Sequence, residues 1–399
     1  MVRAGLEHGG STRRLAILVG TIVLVDTMFY AAVTPLLPEL SRDLNLSKQA
    51  AGVLTGAFAA GTLVGSLPAG WFAARAGVRS AVLVGLALMS VSGLAFAFGD
   101  DIVVLDVARF AQGIGGAFTW SGGLAWLAAS VPRERRGAAL GAAIFGVQLG
   151  PVLGAAATAV GREVAFSSAV AFGAALALWA WAMPAAPGVS ADERLRTPAS
   201  ALSDRRMLAG MWLTILPAIG FGVLDVLAPL RLDVLGAGAL VLGLTFFAAG
   251  GLEAVLSPII GRLSDRRGPG AIVVAGLIAS TIALVAIELP GTVTGLAVMI
   301  VLLSGLLGVT WVPAMGLLSS GAEGIGLDQG FAFAFFNLAW ASGFMVGAAG
   351  GAGVAQAAGD GVAYAILAGL YAISAAIALT VLRAARHGAD RRARYGVAS

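Results

Sequence analysis

Among the polar side chains that fall inside otherwise apolar stretches of the chain are Asp26, Asp106, Arg109, Asp225, Glu253 and Asn337. A charge in such surroundings costs on the order of several kcal/mol unless it meets a counter-charge, carbonyls or water. Asp26 lies about halfway along its apolar run, roughly 16 Å in at 1.5 Å per helical residue. Desolvation at that depth disfavours a carboxylate, so the group can exchange a proton for a cationic substrate. Arg109 sits in LDVARFAQGIGGA, residues 105–117, with Asp106 three residues earlier on the same helical face. A static Asp106–Arg109 pair is the alternative to a functional arginine. Glycines at 113, 115 and 116 let a neighbouring helix backbone come close. Asp225 and Glu253 suit either a cavity wall or a helix interface, Asn337 suits packing or hydrogen bonding, and Glu288 reads as interfacial. Trp120, Trp311, Phe335, Phe336 and Trp340 can stack on a flat organic cation, although an aromatic more often packs against core or lipid.

These groups need a membrane-spanning scaffold. Of 399 residues, 59% are hydrophobic and only 12% charged, and the mean hydropathy is +0.93. That composition belongs to an all-α integral membrane protein, not to soluble domains. Cysteine is absent, and the two histidines, His8 and His387, lie outside the apolar segments. Disulfides, thiolate metal sites and an intramembrane His-ligated metal are therefore excluded. The single lysine, Lys48, follows no phosphate-binding glycine loop, so no ATPase motor is encoded. A net charge of +4, carried by scattered basic residues, argues against nucleic acid.

Twelve spans of about 20 residues are predicted. They cover 15–37, 50–73, 79–98, 102–128, 137–160, 164–183, 207–230, 237–260, 270–288, 292–318, 329–357 and 361–382. Counted by loop, 20 lysines and arginines fall on the side of the two terminal stretches and 4 on the other. The positive-inside rule then puts both termini in the cytoplasm. Residues 184–206, PAAPGVSADERLRTPASALSDRR, form the longest polar stretch between spans. They read as a cytoplasmic linker between six-helix bundles at 1–183 and 207–399, the second ending in a short basic tail. The bundles repeat. An offset of 191 carries Pro38 to Pro229, Ser66 to Ser257, Gly70 to Gly261 and Thr119-Trp120 to Thr310-Trp311. Further on the offset becomes 197, pairing Gly150 with Gly347. Parallel six-span repeats around a central cavity are an arrangement of secondary transporters. The 191 offset pairs Arg109 with Ile300, so the halves share architecture without sharing this chemistry.

Three motifs sit on this frame. Gly261, Asp265, Arg266, Arg267 and Gly268 end the eighth span, where an acid can pair with arginines or a facing helix N-terminus and latch one conformation. The first-half copy keeps Gly70, Arg75, Gly77 and Arg79 but has Ala74 in place of the acid. In the fifth span Gly146, Gly150 and Gly154 share a stripe with Pro151, which removes a backbone donor and can kink the helix. The first span carries Leu24–Tyr30 and Thr34–Pro38 around Asp26.

With these motifs the chain resembles the major facilitator superfamily over essentially its full length. The loop motifs look like the family's cytoplasmic signature, and Leu105, Arg109, Gln112, Gly113 and Gly115 are similar to its second motif, whose arginine is associated with proton coupling. The glycine–proline stripe is similar to the motif of the antiporter branch, with Ala155 replacing a final glycine. The first span resembles drug:proton antiporters and vesicular amine transporters. The resemblance implies a proton-coupled efflux pump for a small amphipathic or cationic organic compound, with Asp26 and Arg109 as its central pair. A proton symporter importing a sugar or organic acid is the alternative, and a non-transporting membrane sensor a remote one. The expected partners are a small-molecule substrate, protons and the lipid bilayer, without nucleic acid, metal or cofactor. The expected unit is a monomer in the plasma membrane, driven by the proton gradient.

Overall fold

A computed structural model describes residues 2–131, 150, 160–184, 203–327 and 329–395, with side chains except at 2–12, 265, 329–331, 333 and 385–395. The described residues are helical apart from short connections, and eleven helical segments among them are long and apolar enough to cross a membrane. The expected span 137–160 falls almost wholly outside the described residues, as does most of the linker. In chain order the helices are α1 (Val2–Ala31), α2 (Val33–Asp43), α3 (Lys48–Ala76), α4 (Val78–Phe98), α5 (Ile102–Ser130) and α6 (Arg162–Ala182). Then follow α7 (Arg205–Val234), α8 (Ala239–Arg267), α9 (Pro269–Ala286), α10 (Val293–Gly308), α11 (Trp311–Gly324) and α12 (Gln329–Met345). A π-helical turn (Val346–Gly351) leads to α13 (Ala352–Ala358), and α14 (Asp360–Tyr395) ends the bundle.

Local chemistry sets many of these boundaries. Ser47, Asp101, Asp204 and Thr292 each cap a helix by accepting a hydrogen bond from a backbone N–H in the first turn. Gly77 and Gly268, related by the 191 offset, hold the tight turns before α4 and α9 at φ of +90° and +77°. Two expected spans prove to be longer and broken. The first runs from Arg13 to Asp43 and is interrupted after Ala31, and the tenth runs from Val293 to Gly324 and is interrupted after Gly308. Pro35 and Pro313 explain both, since each occupies the third position of the second piece. A proline there lacks a donor that would be unpaired anyway, yet its ring breaks continuity with the preceding turn. The last helix also continues to Tyr395 through the segment expected as a tail.

Glycines let the helices approach. A Cβ on Gly113 would overlap the Phe58 carbonyl of α3, and one on Gly115 would stand 3.0 Å from the Gly85 carbonyl of α4. A Cβ on Gly116 would lie 3.0 Å from the Asp26 carboxylate of α1. The glycine patch of α5 thus faces three different helices. Gly113→Ala is expected to cost on the order of 1–3 kcal/mol or more, because backbone has to move. The check is a clear fall in melting temperature of the detergent-purified variant beside Gly116→Ala.

The two sets of helices meet at one end, opposite the N-terminus. Here Arg42 pairs with Asp233, Lys48 Nζ lies 2.5 Å from Asp360, and the Gln49 N–H donates to Gln356 Oε1 at 2.9 Å. Asp360 begins the last helix, so that helix runs back toward the end where the chain starts. Arg42 and Asp233 are themselves 191 residues apart. Positions related by the repeat can touch only near its pseudo-two-fold axis, so this pair marks the axis. The pair is partly exposed, at 61% and 24%, and such bridges contribute only ~0–1 kcal/mol. Packing closes this end more firmly: a Cβ on Gly52 of α3 would overlap the Ala348 carbonyl, and one on Gly56 would lie 3.5 Å from Ala348 Cβ.

Candidate substrate and coupling site

Arg109 is 1% exposed and is satisfied largely by backbone. One terminal nitrogen donates to Gln112 Oε1 at 2.5 Å and to the Phe29 carbonyl at 3.3 Å, and the other to the Tyr30 carbonyl at 3.1 Å. Phe58 and Phe96 place their rings 5.0 and 5.9 Å from the guanidinium carbon. Phe29 and Tyr30 belong to the last turn of α1, just before the break. Carbonyls at a helix C-terminus lack intrahelical partners and carry the negative end of the helix dipole. A planar guanidinium can satisfy two of them at once and favours that end electrostatically. Among the described residues no ion pair joins Arg109 to Asp26 or Asp106. The static Asp106–Arg109 pair is not formed: Asp106 Oδ1 is buried without a hydrogen-bond partner.

Asp26, one turn before those carbonyls on α1, is 5% exposed. Its Oδ2 accepts from the Trp120 indole N–H at 3.0 Å, while Oδ1 has no hydrogen-bond partner. Gly116 leaves the room the carboxyl occupies. Gly150, the one described residue of the glycine–proline stripe, packs against Thr27, so a Cβ there would collide next door to Asp26. Gly146, Pro151 and Gly154 lie outside the described residues.

A second polar group forms where α2, α7 and α8 meet. Asp225 of α7 faces Thr34, its repeat partner on α2, and lies within electrostatic reach of Tyr30 and of Glu253 on α8. Rings surround it. Tyr30 contacts Phe58, Trp340 and Phe344 at centroid distances of 5.2, 5.3 and 5.4 Å, so it touches both halves. Trp311 stacks on Phe221 at 5.9 Å and meets Phe336 at 5.7 Å. Tyr30, Asp225, Glu253, Trp311, Phe336, Asn337 and Trp340 are half-buried. Phe335 instead packs beside Met207 and Leu318 in a separate apolar cluster. Glu288, expected at an interface, pairs with Arg231 at the closed end.

The loop motifs are resolved in part. Arg79 donates to the carbonyls of Ala180, Trp181 and Met183, capping the C-terminus of α6. Arg75 lies 4.3 Å over the exposed Trp71 ring. Gly70 is exposed and Gly261 half-buried, and Arg266 and Arg267 are exposed. The Asp265 side chain, on which the latch depends, lies outside the described ones.

Sequence reasoning gave no role to Tyr30, Phe58, Phe221 or Phe344. Phe58 and the Tyr30 carbonyl both meet Arg109, and the Tyr30 ring touches Trp340 and Phe344 while lying within electrostatic reach of Asp225 and Glu253. The available signal was Tyr30 one helical turn after Asp26.

Comparison with known proteins agrees with this architecture. The Major Facilitator Superfamily family model matches residues 19–327. A chloramphenicol resistance protein of Streptomyces lividans is 32% identical over 259 residues, which are 60% of this chain and 64% of that protein. Multidrug resistance protein 1 of Bacillus subtilis is 32% identical over 159 residues, 38% of this chain and 41% of its own length. A probable vesicular acetylcholine transporter-B of Danio rerio is 30% identical over 163 residues, 37% of this chain and 33% of its own. The matched stretches thus span less than two thirds of each of these relatives. Among solved structures a D-xylose–proton symporter superposes with a TM-score of 0.73 at 17% identity, covering 92% of this chain and 97% of that one. A family match over most of the chain, joined to an all-helical membrane bundle of this topology, leads to one conclusion: the chain belongs to the major facilitator superfamily of membrane transporters.

Proposed function

We propose that the protein is a proton-coupled exporter of a small amphipathic or cationic organic compound, set in the plasma membrane with both termini cytoplasmic. The carrying observation is that Asp225 and Glu253 both lie within electrostatic reach of Tyr30, whose ring touches Phe58 of one half and Trp340 and Phe344 of the other. Carboxylates beside aromatic faces suit an organic cation, electrostatically and by cation–π attraction. The chloramphenicol and multidrug resistance proteins among its relatives support the direction of transport.

In this reading the closed end is extracellular, so the structure corresponds to a state that receives substrate from the cytoplasm. Substrate binding then favours loss of a proton from Asp26, whose second oxygen is free of hydrogen bonds. Rocking of the halves opens the other end, and protons re-entering there release the substrate. Arg109 pins the break in the first span, tying the geometry of Asp26 to that of Tyr30 and Thr34. One proton falling through ~100 mV supplies ~2.3 kcal/mol, enough for modest accumulation of a neutral compound, and a monovalent cation needs a second proton to gain from the potential.

The test is transport in proteoliposomes with an imposed pH gradient. Asp26→Asn is expected to abolish substrate-dependent proton movement while the variant still inserts and melts as a folded protein. Coupling that persists in this variant overturns the assignment of Asp26, and uptake driven in the same direction as the proton flow overturns export in favour of symport.

A further inference from the structure

Four repeat pairs follow one another at four-residue spacing on the first helices of the two halves: Tyr30 with Phe221, Thr34 with Asp225, Pro38 with Pro229 and Arg42 with Asp233. Three of them fit a closed end. Arg42 and Asp233 pair, Pro38 and Pro229 are both buried, and Thr34 faces Asp225. The innermost pair breaks the symmetry. Phe221 turns to Trp311 and Phe336 of its own half, whereas Tyr30 crosses to Trp340 and Phe344 of the other.

The crossing is a ring set against a stack. Trp340 and Phe344, one turn apart on α12, lie nearly parallel, at 25° and a centroid distance of 5.6 Å. Tyr30 meets them at 76° and 70°, the edge-to-face geometry in which the positive rim of one ring meets the negative face of another. The stack is backed by α7, where a Cβ on Gly222 would lie 2.5 Å from the Phe344 carbonyl. On its other side Tyr30 is held twice by Arg109. Its carbonyl accepts from the guanidinium at 3.1 Å, and its ring meets Phe58, which itself lies 5.0 Å from the guanidinium carbon. The break in the first span follows at once, after Ala31. The ring that crosses between the halves therefore stands next to the point at which the helix is interrupted.

We infer that Tyr30 is the positioning residue that joins the closed end to the Arg109 clamp: its ring locks the halves together on Trp340 and Phe344, and its carbonyl passes that state to Arg109 and the break in the first span. When the closed end opens, the ring leaves the stack, and the carbonyl and guanidinium shift with it. The inference deepens the transporter reading above and rests on alternation of the two halves. It depends neither on the direction of transport nor on whether Asp225 or Glu253 carries a proton.

The experiment reads opening as the rate at which a water-soluble maleimide labels Gly56→Cys in the detergent-purified full chain. Position 56 is buried and would place its Cβ 3.5 Å from Ala348 Cβ while the end is closed, and the natural chain has no other thiol. Tyr30→Ala is expected to raise the rate about tenfold, as two edge-to-face contacts are lost, and Tyr30→Phe, which keeps the ring, by less than about twofold. Trp340→Ala with Phe344→Ala removes the stack from the other half. It is expected to match Tyr30→Ala, with no further rise when the changes are combined, and it answers the question should Tyr30→Ala not fold. Arg109→Met is expected to raise the rate about threefold or more with Tyr30 in place, and by less than about twofold in Tyr30→Ala, because its hold on the closed end passes through that residue. Labelling at the wild-type rate in a folded Tyr30→Ala or stack variant, an equal rise in Tyr30→Phe, or multiplying effects of Arg109→Met and Tyr30→Ala overturns the inference. Import instead of export in proteoliposomes would overturn the exporter reading and leave these rates as they are.

Discussion

Oxidation of a Gly56→Cys/Ala348→Cys double variant is expected to stop transport, and reduction to restore it. Gly56 lies on α3 and Ala348 in the π-helical turn that follows α12, so the two belong to different halves. A Cβ built on Gly56 stands 3.5 Å from Ala348 Cβ. That separation is at the short end of the ~3.5–4.5 Å seen in disulfides, so a bond can form with little adjustment. Gly52, one turn nearer the closed end, is too close to Ala352 for such a bridge and is expected to distort the packing instead. The natural chain has no cysteine, so the introduced pair faces no competing thiols. The expected effect is large because the contact must open in every cycle of alternating access. The non-covalent links beside it, Arg42–Asp233 and Lys48–Asp360, are partly exposed and contribute ~1 kcal/mol or less each, which thermal motion overcomes. A covalent bond is not overcome. Transport in proteoliposomes should fall to about a tenth or less after oxidation, with each single-cysteine variant unaffected by the oxidant. Full crosslinking with transport intact would show that this end is not a moving gate.

The scaffold was legible because membrane spans obey simple rules. A stretch of about 20 apolar residues has few alternatives to a transmembrane helix, and the repeat at 191 declared the two halves. The breaks were less so. The first span is expected to end at residue 37, whereas the helix restarts at Val33 and continues to Asp43. A proline in a first turn permits a helix to start again, and sequence alone does not say whether a following segment has neighbours that reward the restart.

The chemistry was legible in its residues and not in its pairings. Arg109 stood out as one basic group deep in an apolar run, and Asp26 was the natural counter-charge. The structure gives Arg109 the carbonyls of Phe29 and Tyr30 instead, and gives Asp26 the Trp120 indole. Backbone carbonyls are present at every position, so no residue type announces that two of them have been released by a helix break. The approach of Asp225 and Glu253 to Tyr30 depends on how two bundles dock about an axis, which a linear pattern does not encode. Once the axis is fixed by Arg42 and Asp233, the pairing of Thr34 with Asp225 follows from the same offset.

Replacement of Arg109 separates what that residue does for stability from what it does for transport. Arg109→Ala removes the donors to the Phe29 and Tyr30 carbonyls, the first buried and the second partly so, and to Gln112, and leaves a cavity against Phe58 and Phe96. Each orphaned group costs about 1–3 kcal/mol, so a loss on the order of several kcal/mol is expected, offset in part by no longer burying a charge. Arg109→Met keeps most of the volume and so avoids the cavity, but it orphans the same carbonyls and Gln112. Melting in detergent should therefore rank wild type above Met and Met above Ala, the last step being the cavity cost. Transport should not follow that order. In both variants the end of α1 loses the clamp that fixes its angle to α2, and with it the relation between Asp26 on one side of the break and Thr34 on the other. Both are expected to transport at a tenth of the wild-type rate or less, roughly 1.4 kcal/mol or more in barrier terms. Arg109→Lys keeps the charge at the helix C-terminus but not the two-pronged reach, and should fall between. A methionine variant that melts like wild type and also transports like it would reduce Arg109 to a packing residue. A methionine variant that still melts cooperatively as a folded protein and does not transport would place the coupling step at the break in the first span.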